Sequence, residues 1–349
     1  MSILFLDGGL GTSLEQKYEQ KFTPSTPLWS SHLLVSNPPL LLQCQADFGL
    51  VPVDILLTAT YQVSVEGFRK TRTPSFPDGI PAQHIPAFLE TAVSVAERAS
   101  SRASVALSLG PYGACMVPSQ EYSGRYDPRH SSPDALYEWH RERLLLFARV
   151  DGLARRVGYV AMETVPRVDE VAAMRRALGA VPQLAGLPFW VSCLYPGDGE
   201  VLPTGESVEQ VLRASLDAGV AGPVPWGVGI NCTKVWKLPS LLARYEAAVA
   251  DMVRQGVLAA WPALVLYPDG TNGQVYNTAT QAWEGSDAAD VERGAWEEQL
   301  AEVVRGTRAR GEWKQVVVGG CCMASSEDIS RLRQILLADT ANAGFLPRG

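Results

Sequence analysis

Basic residues are few in this sequence and nowhere form a cluster. The 349 residues include 30 Lys and Arg against 37 Asp and Glu, which gives a formal net charge of −7. Proteins that bind nucleic acid or anionic membranes usually carry a basic patch or stripe, because those partners are negatively charged. Neither nucleic acid nor a membrane surface is therefore expected as a partner.

Long apolar runs are also missing. No window approaches the roughly 18 apolar residues of a membrane-spanning helix. The apolar run in the opening segment MSILFLDGGLG lasts about five residues and meets Asp7 without a basic flank, unlike a secretory signal. We therefore expect a cytoplasmic protein. The hydrophobic fraction of 46% is nevertheless sufficient for a large buried core.

Cysteine and histidine are scarce, with six and four residues. Six cysteines in a chain of this length are not a disulfide framework, and in a reducing compartment clustered thiols more often indicate metal binding or catalysis. The sequence lacks the HExxH motif of zinc proteases and the GxSxG motif of serine hydrolases. The segment GGLGTS lacks the Lys-Ser/Thr of a phosphate-binding loop. Backbone N–H groups at Gly8 and Gly9 can still hold a small carboxylate.

Eight short apolar runs of strand composition recur along the chain, with helical patterns between them. The runs are continuous rather than alternating, which is typical of parallel strands buried on both faces. Eight strand–helix repeats predict an α/β fold of the (β/α)8 TIM-barrel type. No linker divides the sequence, so we expect a single domain over residues 1–349. The predicted strands are 3–9, 54–62, 103–113, 159–166, 189–196, 226–233, 263–270 and 316–322.

Three connections are too long to be plain turns. They are 63–84, 111–132 and 268–294, which follow predicted strands two, three and seven. The carboxyl ends of the strands form the active-site face of a TIM barrel. Long loops on that face are usually lids or binding walls.

Polar side chains gather at the same predicted edge. Asp7 ends the first strand, Tyr61 lies at the end of the second, Glu163 ends the fourth and Asn231 ends the sixth. Polar residues at this edge of a TIM barrel indicate function, whereas polar residues at the opposite edge indicate stability. We therefore expect these side chains to surround an active site.

Three cysteines also lie at this edge, Cys232 after strand six and Cys321 and Cys322 after strand eight. Strands six and eight are roughly 10 Å apart across strand seven, so thiols that lean inward can share one ion. Adjacent residues of a regular strand point to opposite faces. Cys321 and Cys322 therefore reach one Zn²⁺ only if the backbone leaves β geometry, and Gly319-Gly320 permit this at little steric cost. Three thiolates leave the open position of a catalytic zinc site.

The alternative is that these cysteines are ordinary buried apolar residues, since unreactive buried cysteines are common. That interpretation is the one we expect for the remaining three, which lie in a helix pattern, in a loop and inside a strand: Cys44, Cys115 and Cys193.

The order and spacing of six motifs resemble the homocysteine S-methyltransferase family. The motifs are LDGGLGTSLE, LLTATYQ, SLGPYGA, ETVP, GVGINCT and VVVGGCC, and they span nearly the whole chain. The resemblance is to the fungal, plant and bacterial enzymes that use S-methylmethionine or S-adenosylmethionine. It implies a TIM barrel that transfers a methyl group from a sulfonium donor to homocysteine, giving methionine. It also implies Zn²⁺ on Cys232, Cys321 and Cys322, with the homocysteine thiolate as the fourth ligand.

The resemblance implies roles for further residues. Asp7 and Glu163 are expected as catalytic residues that hold the amino acid end of homocysteine. The expected substrate-binding residues are Gly8, Gly9, Tyr61 and Asn231. Aromatic rings that can face a cationic donor are Tyr61, Tyr112, Trp236 and Tyr267.

Two other functions were weighed. Another zinc-dependent TIM-barrel enzyme, such as a hydrolase, would use His or carboxylate ligands and an activated water. An all-thiolate set instead suits a soft sulfur ligand. The second alternative is a non-catalytic relative that binds zinc or an amino acid. The combination of Asp7, Glu163 and the cysteines favours an enzyme over this second alternative.

Overall fold

The computed structural model describes residues 1–23, 25–271, 274–277, 282–285 and 294–343. Within these ranges eight parallel strands form the central sheet, as predicted. The strands are β1 (Ser2–Phe5), β2 (Ile55–Leu57), β3 (Ser104–Leu109), β4 (Tyr159–Val165), β5 (Phe189–Cys193), β6 (Gly227–Lys234), β7 (Ala263–Asp269) and β10 (Gln315–Val318). Two more strands, β8 (Val275–Asn277) and β9 (Ala282–Glu284), pair as an antiparallel hairpin in the connection after β7.

Helices alternate with the strands. They are α1 (Leu10–Gln16), α2 (Leu33–Ser36), α3 (Pro38–Leu50), α4 (Val65–Lys70), α5 (Ile85–Ala99), α6 (Pro133–Phe147), α7 (Leu153–Arg156), α8 (Val168–Gly179), α9 (Val208–Leu216), α10 (Leu238–Arg254), α11 (Trp296–Arg310) and α12 (Ser326–Ala343). Ser207 caps α9 as predicted, and with Gln210 it forms a capping box that satisfies two backbone N–H groups. No helix among the described residues is long and apolar enough to cross a membrane.

The sheet curls into a barrel. β1 and β2 stand at the two ends of the strand order, and the barrel closes where they meet. The order runs β1, β10, β7, β6, β5, β4, β3, β2. A single parallel bridge between Leu6 and Ile55 joins β1 to β2. Side chains supplement that bridge, because Asp54 Oδ2 accepts from Phe5 N at 2.7 Å and Asp7 Oδ2 accepts from Leu57 N at 2.9 Å. We call these contacts the β1–β2 seam.

Two apolar layers hold the fold together. The barrel interior is filled by a small cluster of buried side chains, which includes Leu6, Ile55, Ala106, Ala161, Trp190, Val265, Tyr267 and Val317. The larger cluster lies between the outer faces of the strands and the surrounding helices. Continuous apolar strands follow from this arrangement, because each strand is covered on both faces.

The long connections contain more regular structure than the sequence predicts. The connection 63–84 holds α4, which Ser64 caps because its hydroxyl oxygen accepts a hydrogen bond from Gly67 N. The connection 111–132 contains two short 3₁₀ turns, and 268–294 contains the β8–β9 hairpin. Residues 272–273, 278–281 and 286–293 of the last connection lie outside the described residues.

The two glycines before the cysteine pair serve close packing rather than an unusual backbone conformation. Neither Gly319 nor Gly320 has a φ in the left-handed region. A Cβ on Gly319 would lie 2.6 Å from Asp7 O and 2.7 Å from Leu6 Cβ, so only glycine fits against β1. The left-handed residue of the turn is Met323, with a φ of 63°. The prediction that the chain leaves β geometry here is confirmed, because β10 ends at Val318.

Substituting Gly319→Ala should lower the free energy of unfolding by about 1–3 kcal/mol, the usual cost of overpacking a tight contact. The matched control is Gly186→Ala, since a Cβ there would meet no atom within 4 Å. Urea unfolding of both variants measures the difference. Equal stability of the two variants would contradict the packing argument.

Candidate active site

A cavity of about 190 Å³ opens at the carboxyl ends of the barrel strands. Its floor is built from residues that follow β1, β2 and β10 and from residues near the carboxyl ends of β4 and β6. Asp7, Tyr61, Glu163, Cys232 and Cys322 are among the lining residues. The polar residues predicted at separate strand ends are thus brought to one space, as the barrel geometry requires.

The three predicted metal-binding cysteines meet at this floor. The Sγ atoms of Cys232, Cys321 and Cys322 all lie within 4.8 Å of one another. Cys232 and Cys321 are joined by a disulfide with their Cα atoms 5.5 Å apart, whereas Cys322 is free. The disulfide is possible because the curvature of the barrel brings the end of β6 and the turn after β10 into contact. An open site of three thiolates can oxidise in this way when it holds no metal, so metal binding by these cysteines stays a prediction.

The cysteine cluster fits a soft metal ion once the disulfide is reduced. Three thiolates converging on one point are the donor set that zinc prefers, and they leave one tetrahedral position open. Burial raises the pKa of the Cys322 thiol to about 12. A thiol in this environment holds its proton unless a cation displaces it.

Backbone distortions aim the sulfur and hydroxyl groups into the cavity. β6 has an irregular register between Asn231 and Lys234, and Cys232 within it has a φ of 45°. β4 is irregular between Met162 and Val165, and Thr164 within it has a φ of 60°. A left-handed conformation of a non-glycine residue costs about 1–3 kcal/mol and is often found at active sites.

Asn231 holds these two distortions together. Its Oδ1 accepts from Thr164 N at 2.9 Å, and its Nδ2 donates to Thr164 Oγ1 at 2.7 Å. Asn231 is fully buried and does not appear among the cavity-lining residues, whereas Thr164 does. The sequence named Asn231 as a pocket residue and omitted Thr164. The structure places Asn231 behind the wall, where it positions Thr164 and Cys232.

Asp7 and Glu163 form a buried pair of carboxylates on the floor. Burial raises the pKa of Asp7 to about 8, and the nearby charge of Glu163 adds to the effect. Burial also raises the pKa of Glu163 to about 7, although a hydrogen bond from the Ser108 hydroxyl opposes the shift. Asp7 Oδ1 has no hydrogen-bond partner. Two carboxylates with elevated pKa values and an unpartnered oxygen provide a binding site for a cationic group.

The glycines predicted to bind substrate lie at the cavity, but the backbone N–H of one of them is already hydrogen-bonded. Gly8 and Gly9 both line the cavity. Gly9 N, however, donates to Ala324 O at 2.9 Å, so it is not free to hold a ligand carboxylate. Among the four aromatic candidates, Tyr61 and Tyr267 line the cavity, whereas Tyr112 and Trp236 do not.

Two connections build the outer wall, and only the second of them was singled out from the sequence. Phe22 and Trp29 come from the connection after α1, and Met116, Glu121 and Tyr122 come from the connection after β3. The predicted binding role of the connection 111–132 therefore has structural support. The connection after α1 gave no recognisable signal, because its aromatic residues are isolated in the sequence.

The wall from the connection after β3 is anchored from behind by Glu170. This fully buried carboxylate accepts from Tyr112 N at 2.6 Å, from the Tyr126 hydroxyl and from His140 Nε2 at 2.9 Å. Burial lowers the pKa of His140 to about 4, so the ring is neutral and donates as a hydrogen-bonding group. The segment between Tyr112 and Tyr126 is thus fixed at both ends.

The ionisable carboxyl groups that line the described part of the cavity are not balanced by basic side chains. Its described lining residues include the carboxylates Asp7, Glu121 and Glu163, but no Lys, Arg or His. Buried charges are costly unless they are paired. A ligand with cationic groups therefore complements this cavity.

Comparison with known proteins agrees with these features. Residues 4–336 match the family model described as homocysteine S-methyltransferase. The chain belongs to the homocysteine S-methyltransferase family. A homocysteine S-methyltransferase of Escherichia coli and a betaine-homocysteine S-methyltransferase of Drosophila melanogaster are each 29% identical to it over 95% of this chain, and the alignments cover 94% and 93% of those proteins.

Solved structures show the same fold. The homocysteine methyltransferase MmuM from E. coli matches in an oxidised form and in a metallated form, with TM-scores of 0.66 and 0.65. Each match is 26% identical and covers 96% of both chains. The prediction of a TIM barrel in the homocysteine S-methyltransferase family is therefore confirmed.

The carboxylate pair should make the stability of this homocysteine S-methyltransferase family member depend on pH. A carboxyl group whose pKa is raised on folding stabilises the fold at pH values below its unfolded pKa, and this stability is lost as the pH rises through the folded pKa. For Asp7 the decline runs from about 4 to about 8, and Glu163 has the same sign up to about 7. Thermal unfolding of the ligand-free protein should therefore occur at lower temperature as the pH rises across this window.

Asp7→Asn and Glu163→Gln should each flatten that decline. The exposed Glu142→Gln is the control and should leave it unchanged. Scanning calorimetry between pH 4.5 and 8.5 measures the slope. Parallel curves for the wild type and both site variants would show that neither group carries an elevated pKa.

Proposed function

We propose that this protein transfers a methyl group from a sulfonium donor, S-methylmethionine or S-adenosylmethionine, to the thiolate of homocysteine in a zinc-dependent reaction that gives methionine. The observation that carries the proposal is the meeting of three cysteines and a buried carboxylate pair on one cavity floor. Family membership supports homocysteine as the acceptor.

Cys232, Cys321 and Cys322 are the residues that would hold the zinc ion. When bound, zinc supplies the positive charge that ionises the acceptor thiol at neutral pH. The chain's own contribution is the placement of the three sulfur atoms. The distortion of β6 turns Cys232 inward, and Asn231 holds that distortion in place.

Asp7 and Glu163 bind the ammonium group of homocysteine in this proposal. An ammonium between them satisfies Asp7 Oδ1, which otherwise has no partner. It also stabilises the ionised forms of both carboxylates, whose pKa values burial has raised. Ser108 orients Glu163 through its hydroxyl hydrogen bond.

The enclosed cavity favours the reaction through charge and alignment. A thiolate and a sulfonium cation become two neutral thioethers, so charge disappears along the reaction path. A cavity that excludes water therefore destabilises the charged reactants relative to the transition state. The apolar wall of Phe22, Trp29 and Met116 excludes water and holds the donor in line with the acceptor.

The protein is proposed to act as one (β/α)8 domain over residues 1–349 in the cytoplasm. Zinc binding by Cys232, Cys321 and Cys322 requires reduced thiols, which agrees with this location. Cytoplasmic conditions keep such thiols reduced.

Turnover on reduced, zinc-loaded protein tests the function. We expect methionine from homocysteine with S-methylmethionine or S-adenosylmethionine, detected by mass spectrometry with a labelled methyl group. Cys322→Ser should lose both bound zinc and turnover. The matched control is Cys115→Ser, which lies outside the cavity and whose new hydroxyl can keep the hydrogen bond to Gln62 O.

Two results would contradict the proposal. Cys322→Ser with full zinc and full activity would remove the cysteine cluster from the mechanism. Absence of methionine with both donors, from wild-type protein that holds zinc, would refute a sulfonium-dependent methyltransferase.

Glu163→Gln should weaken homocysteine binding by roughly ten- to a hundredfold, because a hydrogen bond to a charged group contributes about 1.5–3 kcal/mol. Calorimetric titration of zinc-loaded protein with homocysteine measures the change. Glu142→Gln is again the exposed control. Unchanged affinity in a folded Glu163→Gln variant would show that this carboxylate does not bind the acceptor.

A further inference from the structure

A third buried carboxylate in the cavity has one oxygen atom without a partner in the chain. Glu121 is 8% exposed and lines the cavity, and its Oε2 atom has no hydrogen-bond partner. It is separate in sequence from the floor residues, since it comes from the connection after β3. An ionised carboxylate needs hydrogen-bond donors or a cation when it is buried, so this oxygen is placed to meet a ligand.

The position of Glu121 is fixed by its neighbours. Gln120 N donates to Gly113 O at 2.8 Å, and Gly124 N donates to Gln120 O at 2.8 Å. A Cβ on Gly113 would lie 2.9 Å from Glu121 N, so the two segments of this loop are closely packed against each other. Glu170 holds both ends of the segment from behind. Such a group is pre-organised and loses little freedom when a ligand binds.

Glu121 faces a different part of the cavity from the Asp7–Glu163 pair. Its charge acts on Cys322, Tyr61 and Tyr122 and raises their pKa values. The charge of Glu163 acts on Asp7 and also on Tyr61. Tyr61 is therefore near both carboxylates, whereas Cys322 and Tyr122 are near Glu121 and Asp7 is near Glu163.

The two substrates together bring more cationic groups than the floor can hold. Homocysteine has one ammonium, which the floor pair binds under the proposed function. S-methylmethionine and S-adenosylmethionine each have a sulfonium and an α-ammonium. A sulfonium has no hydrogen to donate, whereas an ammonium has three. The unpartnered Oε2 of Glu121 therefore suits the ammonium, and the aromatic rings Trp29 and Tyr122 can face the sulfonium methyl groups.

We propose that Glu121 binds the α-ammonium of the methyl donor and so selects amino acid sulfonium donors over donors that lack this group. The inference rests on the proposed function for the identity of the donor. It explains why the outer wall of the cavity carries a buried acid although no described lining residue is basic. It also gives a reason for anchoring this loop rigidly, because a shifted carboxylate would misplace the donor.

The test compares S-methylmethionine with its desamino analogue, 4-(dimethylsulfonio)butanoate, by calorimetric titration of reduced, zinc-loaded protein. The wild type should bind S-methylmethionine more tightly than the analogue by about ten- to a hundredfold, as expected for one charged hydrogen bond. Glu121→Gln should lose most of that difference by weakening S-methylmethionine binding while changing analogue binding less than about threefold. Homocysteine affinity should stay unchanged. The control variant is Glu142→Gln, which should behave as the wild type.

Several results would overturn the inference. These are equal wild-type affinity for the two ligands, equal weakening of both by Glu121→Gln, or a loss of homocysteine affinity in that variant. The wild-type comparison needs no mutant, so a misfolded variant leaves the test intact. Glu121→Asp keeps the carboxylate but moves it back by one methylene group. This variant should show an intermediate preference for S-methylmethionine over the analogue. Failure of the proposed function is a separate outcome, namely absence of methionine from any donor, and it is measured by turnover rather than by binding.

Discussion

Hydrogen bonds from the turn after the last strand to the ends of β1 and β7 determine where the chemistry can occur. Gly320 N donates to Asp7 O at 2.9 Å, and Cys321 N donates to Pro268 O at 2.9 Å. These bonds fix the cysteine turn against the end of β1 and the end of β7. Glycine is required at 319 because β1 passes too close for a side chain. The closure of the barrel therefore also sets the spacing between a floor carboxylate and the sulfur cluster.

The floor is strained where it is functional, and the strain is compensated nearby. Thr164 and Cys232 both adopt left-handed backbone conformations on strands that are otherwise regular. A single buried amide, that of Asn231 on β6, forms hydrogen bonds with the main chain and the side chain of Thr164 on β4. This arrangement shows how a rigid scaffold can hold two unfavourable conformations, because the polar groups freed by the distortions find partners in each other.

The sequence predicted the parts of this protein that follow from simple periodicity. Eight apolar runs predicted a barrel, and the barrel geometry predicted that Asp7, Glu163 and the cysteines lie on one edge. The sequence could not predict the pairing of Cys232 with Cys321, because this depends on the curvature of the barrel. It also could not predict the burial of Asn231 behind Thr164, because this depends on the irregular register of β4 and β6. Glu121 also went unnoticed, because a single acid in a polar loop resembles any surface residue until the fold shows that it is buried.

The β1–β2 seam has a consequence for the motions of the barrel. One bridge, a backbone hydrogen bond from Asp54 N to Phe5 O and two aspartate side chains join these strands, whereas the other neighbouring strands share longer ladders. Local opening follows the weakest set of hydrogen bonds, so the empty barrel opens first at this seam. Asp7 belongs both to the seam and to the cavity floor. A ligand ammonium that keeps Asp7 ionised strengthens its bond to Leu57 N, since charged acceptors form stronger hydrogen bonds. Protection of the Leu57 amide from solvent exchange therefore reports on the closure of the barrel and on the occupancy of the site at the same time.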